Sequence, residues 1–172
     1  MASGISFSQF SISKDPLQEV QDSKQNMISL ANKAQKLIKF SFDQVRLLDE
    51  IVMDPNIESL PFFFSSSMGI KGNLFKLIQN INELVEKIIF FNEVLSQIEK
   101  KIYSSDNVCF ILCYKNRIDH INIKSCFIED KLISLDCALL VTTMTTIDLL
   151  TPVAKDRFNE ITMLENFELR SI

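Results

Sequence analysis

Apolar residues recur three and four apart along most of this chain, a spacing that only a helix gathers onto one face. Asp15-Pro16-Leu17-Gln18 sets an acid at the N-cap, proline at the first helical position and an amide at the third, which predicts a helix start. From there Leu17, Ala31, Ile38, Val45 and Val52 fall in one seven-residue register, interrupted by Lys24. Val20, Met27, Ala34, Ser41 and Leu48 form the second register, three residues on. This is an a/d heptad over 16–53, widened by Leu30, Leu37 and Ile51 as in a bundle helix. A cleaner heptad follows, with Leu74, Ile81, Ile88, Leu95 and Ile102 in one register and Leu77, Leu84, Phe91 and Ile98 in the other. Ile78, Val85, Ile89 and Phe90 add apolar surface outside that seam.

An unbroken helix over 16–53 would run ~57 Å at 1.5 Å per residue, against roughly 40 Å for a compact sphere of this length. Either the helix kinks near the capping-box-like Ser41-Phe42-Asp43-Gln44, or the molecule is elongated or completed by a partner. Asp54-Pro55 ends the first segment and Ser104 to Asn107 the second. Shorter helices are predicted over 107–120, 126–150 and 152–162, with Ser125 capping the second and Thr151-Pro152 opening the third. Val108, Phe110 and Ile111 read alternatively as a strand, with Ile121 to Phe127 as its hairpin partner. Between the long heptads lies LPFFFSSSMGIKG (60–72), read as a break that Pro61 stiffens and Gly69 and Gly72 let turn back. Three consecutive aromatics cannot all face one core from a regular helix, so Phe62, Phe63 and Phe64, with Phe90 and Phe91, are assigned to an interface between copies.

The fold class that follows is all-α: long heptad-patterned helices packed as a bundle with a second, shorter-helix lobe. The Ser-rich, uncharged start makes 1–14 a flexible arm, followed by a long-helix lobe (15–104) and a C-terminal lobe (105–172). Composition agrees. With 3 Gly and 4 Pro in 172 residues, tight turns are too few for a sandwich or a Rossmann fold. Apolar content of 47% against 23% charged excludes a disordered chain. Cys109, Cys113, Cys126 and Cys137 sit in apolar runs, which suits buried, reduced thiols and a cytoplasmic location. No apolar run reaches the ~20 residues of a membrane span, so no membrane partner is expected.

Candidate chemistry is sparse. Cys109, Cys113, His120 and Cys126 give C-x3-C-x6-H-x5-C, the donor set of a loosened zinc knuckle, but no glycine follows Gly72 to make the tight turns such a site needs. Packed thiols are the preferred reading, and metal and cofactor are both set at none. One His, no glycine-rich phosphate loop and apolar neighbours around every thiol leave no catalytic constellation, so no enzyme is expected. Charge is more informative. The chain carries a net −4, yet Ser23 to Phe42 holds four lysines and no acid. Lys33, Lys36 and Lys39, joined by Arg46, read either as phosphate contacts or as a solvated helix face. Lys115, Arg117 and Lys124 form a second cluster.

The segments SFDQVRLLDEIV (41–52), LPFFFSSSMGIKGNLFKLIQNI (60–81) and SLDCALLVTTMTTIDLLTPV (134–153) resemble the small RNA-silencing suppressors of closteroviruses. The resemblance implies an all-α protein assembled into a homo-oligomeric ring that binds double-stranded and small interfering RNA without reading sequence. It assigns no individual residue. The alternative expectation is a helical scaffold or adaptor acting through protein contacts alone.

Overall fold

The structure, a computed structural model, describes residues 15–54, 60–104 and 108–149, with side chains from Phe63 and Ile111 onward in the second and third stretches. It is all-α, with three long helices: α1, Pro16–Val52; α2, Leu60–Ser104; α3, Val108–Leu149. The segments 1–14 and 152–162 fall outside the described residues.

α1 starts as its capping residues dictate. Asp15 Oδ1 accepts the Gln18 amide proton at 2.9 Å, and the Asp15 carbonyl accepts that of Glu19 at 3.1 Å. No break occurs at Ser41. Its hydroxyl donates back to the Leu37 carbonyl at 2.8 Å, so it serves an interior turn rather than a new N-cap. The buried stripe of α1 alternates three and four from Val20 and Ser23 through Met27, Leu30, Ala34, Leu37, Ser41 and Gln44 to Leu48 and Ile51. One predicted register is therefore the seam, while its assigned partner, Leu17 to Val52, is mostly a half-buried flank. The true second register contains Ser23 and Gln44, polar residues that hide it in an apolar count.

In α2 both predicted registers are seam positions, and the seam continues upstream through Ile70 and Ser67 to Phe63. The stretch 60–72 is helix, not a break. Proline is tolerated in a first turn because its missing N–H would lack an intrahelical partner there. The Ser67 hydroxyl donates to the Phe64 carbonyl at 2.9 Å. Gly69 and Gly72 are ordinary helical positions with open space where a Cβ would sit. The helix splits the aromatics as its period demands: Phe63 is buried, and Phe64 is 51% exposed.

α3 replaces the two predicted helices over 107–120 and 126–150, and with them the strand alternative. Its seam runs Ile118, Ile121, Ser125, Ile128, Leu132, Leu135, Leu139, Thr143, Thr146. Ser125 is a seam residue whose hydroxyl donates to the Asn122 carbonyl at 2.7 Å, not a cap. The cysteine expectation also changes, since Cys113, Cys126 and Cys137 are exposed. All three fall outside the 3-4 seam. Apolar residues on the outward face as well give Ile111–Leu149 an 18-residue stretch of mean hydropathy 1.5, 22% of it buried, so by length and composition alone this helix is apolar enough to cross a membrane. The expectation of no such segment rests on uninterrupted apolar runs, which the polar residues of this helix break up.

The helices contribute to two compact units, one from residues up to Ala31 with Glu86–Glu129, the other from Asn32–Val85 with Asp130 onward. These units differ from the expected division at 104/105, because each takes a segment of every helix. In the first unit the Ser23 hydroxyl donates to Asn122 Oδ1 at 2.7 Å and Asn26 Nδ2 donates to Ser125 Oγ at 3.2 Å. The constant offset of 99 residues means that α1 and α3 run parallel there. In the second unit Gln44 Nε2 donates to Thr143 Oγ1 at 2.8 Å. Each is a polar layer in an otherwise apolar seam, the device that fixes register between helices.

Candidate functional site

Two clusters of cations were predicted, and the fold treats them differently. Lys33, Lys36, Lys39 and Arg46 lie on α1 in the second unit. Three-residue steps do not stack on a helix, so Lys33, Lys36 and Lys39 fan around roughly a third of its circumference. Lys33 and Lys36 are half-buried and Lys39 is exposed. Asp43 accepts from Lys39 Nζ at 3.3 Å and also from Arg46. The acid-free run thus ends one residue before a carboxylate that ties two of the four cations.

In the first unit Lys115 pairs with Glu19 at 3.9 Å, whereas Arg117 and Lys124 are exposed and have no ion-pair partner among the described residues. Arg117 helps line a groove of about 370 Å³ between α2 and α3, together with Phe90, Phe91, Val94, Asn116, His120 and Ile121. Its floor is apolar. Ile121 is buried, Phe91 and Val94 are half-buried, and Phe90 is 59% exposed. The two phenylalanine rings sit 5.8 Å apart at 57°, a tilted contact in the favourable range for aromatic pairs.

Helix periodicity extends this groove into a charged channel. On α2, Lys87, Phe90, Val94, Gln97 and Lys101 follow one another at three and four residues, so they share one edge, ~21 Å long at 1.5 Å per residue. On α3, Arg117, His120 and Lys124 do the same. The α3 edge carries no carboxylate, and Asp119 is on another face of that helix; on α2 the exposed Glu86 and Glu93 lie one turn to either side of Phe90, at i−4 and i+3. Lys87 and Lys101 are exposed and also lack an ion-pair partner among the described residues. Cations on both walls over an aromatic floor can hold a polyanion's charges at the rim and its flat apolar parts below.

Sequence reasoning had named Arg117, Lys124, Phe90 and Phe91 but had not brought them together, and it had missed Lys87, Lys101, Val94 and Asn116. The 87-90-94-97-101 spacing was visible; the pairing of that edge with α3 was not. Of the remaining aromatics assigned to an interface, Phe64 is exposed with Met68 and Phe75 on one stripe of α2, Phe63 belongs to the seam, and the Phe62 side chain lies outside the described residues.

The metal constellation does not assemble among the described residues. Cys113 and Cys126 are on one straight helical run, ~20 Å apart along its axis, so they cannot share an ion within a chain. Compared with protein-family models, with curated proteins and with solved structures, the chain has no significant match.

Proposed function

We propose that this protein is a non-enzymatic, self-associating RNA-binding protein that holds duplex RNA, including small interfering RNA, through phosphate contacts without reading sequence. The observation that carries the reading is the gathering of Lys87, Lys101, Arg117 and Lys124, without ion-pair partners among the described residues, on the two edges of one groove in a chain of net charge −4. An acidic protein that binds a polyanion must concentrate its cations, and several copies in one assembly would multiply a modest patch. The ion pairs at Asp43 do not remove Lys39 and Arg46 from this role, because exposed helix pairs contribute only about 0.3–0.5 kcal/mol and yield readily to a phosphate. Sequestration of small RNA in the host-cell cytoplasm is the activity that the likeness to closterovirus suppressors adds.

A second reading is a helical adaptor working through protein contacts, favoured by the outward face of α3, where Ile133, Val141 and Met144 are all more than half exposed. Thr145 beside this face turns its hydroxyl back onto the Val141 carbonyl at 3.0 Å.

Titration of a labelled duplex over a range of salt separates the two. Arg117→Ala with Lys124→Ala should lower the slope of log affinity against log salt by about 1.4 to 1.8, two contacts at roughly 0.7 to 0.9 each, and should do so alike for unrelated sequences. A parent protein that binds no RNA at any salt hands the function to the adaptor reading.

A further inference from the structure

A duplex makes no use of the groove's floor. Stacked, paired bases present no face to Phe90, and phosphates gain nothing from Phe91, Val94 or Ile121. Yet the floor holds the Phe90 ring, 59% open, and what sets it apart from the exposed Tyr103 and Phe127 of this unit is that it shares one cavity with a guanidinium and an imidazole. An unpaired strand uses both features, its bases stacking on aromatic rings while its backbone follows the cations.

Resting on the RNA-binding reading above, we infer that the α2–α3 groove of the first unit is a site for single-stranded RNA, with a base stacked on Phe90 and its flanking phosphates met by Arg117 and Lys124. Charge complementarity selects this occupant over an apolar helix. Lys87, Lys101, Arg117 and Lys124 line the two edges and outnumber Glu86 and Glu93 beside Phe90, so the rim is net positive, and an apolar helix docked there would leave the four cations facing apolar surface. The recognition is sequence-tolerant, because every base has a π-face and no array of fixed donors and acceptors reads its edges. Asn116 is the one amide in the lining, too little for base discrimination.

The test uses the full chain, a labelled oligouridylate of about 12 nucleotides and a blunt duplex of matched length. Both probes should bind, and Phe90→Ala should lower the strand-to-duplex affinity ratio about tenfold, in keeping with base–aromatic stacking. Phe90→Tyr should retain the ratio and Phe90→Leu, which fills space without a π-face, should not. Phe90 is exposed, so the alanine variant keeps its helicity and melting temperature, checked by circular dichroism. Three results overturn the inference while leaving RNA binding intact: a ratio unchanged by Phe90→Ala, equal losses for strand and duplex, or a smaller mass for the variant in sedimentation, which would place Phe90 between copies of the chain. If neither probe binds the parent, the RNA-binding reading fails first and this one with it.

Discussion

The two units are built alike, three helix segments around a 3-4 seam, but they pair positive charge to different extents. Lys36, Lys76 and Lys131 of the second unit have no ion-pair partner among the described residues, against Lys87, Lys100, Lys101, Arg117 and Lys124 of the first. In the second unit Lys39 and Arg46 share Asp43, and Lys71 reaches Asp49 at 2.6 Å. The first unit ties down Lys24 and Lys115 but leaves Lys87, Lys101, Arg117 and Lys124 without a partner among the described residues. Lysines are equally numerous in the two units, six each among the described residues, so their count does not distinguish them. The location of carboxylates one turn away, or on a neighbouring helix, does. Availability of a cation is a property of its surroundings, and composition alone does not report it.

The largest expected effect concerns the second unit's aromatics. Phe63 is 3% exposed in the seam, and its neighbour Phe64 is 51% exposed. Phe63→Ala should cost about 3–5 kcal/mol of unfolding free energy, by loss of burial and the cavity left behind. Phe64→Ala should stay within about 0.5 kcal/mol while testing whether the Phe64, Met68, Phe75 stripe joins copies. Urea denaturation reads the first quantity and sedimentation the second. Comparable destabilisation by both substitutions would mean that 60–72 is not the helix described above.

How much of this was legible follows from which residues occupy the seams. In α2 every predicted seam position is apolar, and both registers were read correctly. α1 keeps Ser23 and Gln44 at buried positions, so an apolar count slid its second register onto the flank. α3 interrupts its seam with Ser125, Thr143 and Thr146, which made one helix read as two. Gly69, Gly72 and the serines of 65–67 likewise disguised the start of α2. These are local propensities overridden by packing, since a half-buried helix tolerates weak formers where neighbours hold it. The groove was illegible for a different reason: it needs to be known which edge of α2 meets α3, information spread across more than twenty residues of sequence separation.

A middle-sized effect sharpens the same point. Gly69 and Gly72 face open space, so no turn or close approach requires them. Alanine at either should stabilise the second unit by up to about 1 kcal/mol, raising the melting temperature by roughly 2–4 °C in a protein of this size. A fall in melting temperature at both positions would show that the glycines do serve a turn.

The smallest effect addresses the contrast in charge directly. Asp43, with 14% of its side chain exposed, accepts from two cations that are themselves 67% and 68% exposed. Each pair is an i,i+3 or i,i+4 surface contact of about 0.3–0.5 kcal/mol, so Asp43→Asn should alter stability by less than about 1 kcal/mol. It removes one negative charge from beside both Lys39 and Arg46. If the second unit's cations meet phosphate, the loss of that charge should tighten duplex binding a few-fold at low salt, an advantage that fades as salt rises because it is purely electrostatic. The slope against log salt should steepen by no more than roughly 0.7 to 0.9 for each new contact. Adding Lys39→Ala should cancel part of the gain. Duplex affinity that ignores Asp43→Asn at every salt concentration, in a protein whose binding does fall with Arg117→Ala and Lys124→Ala, would confine RNA to the first unit's edges and leave the lysine-rich run of α1 as a solvated face.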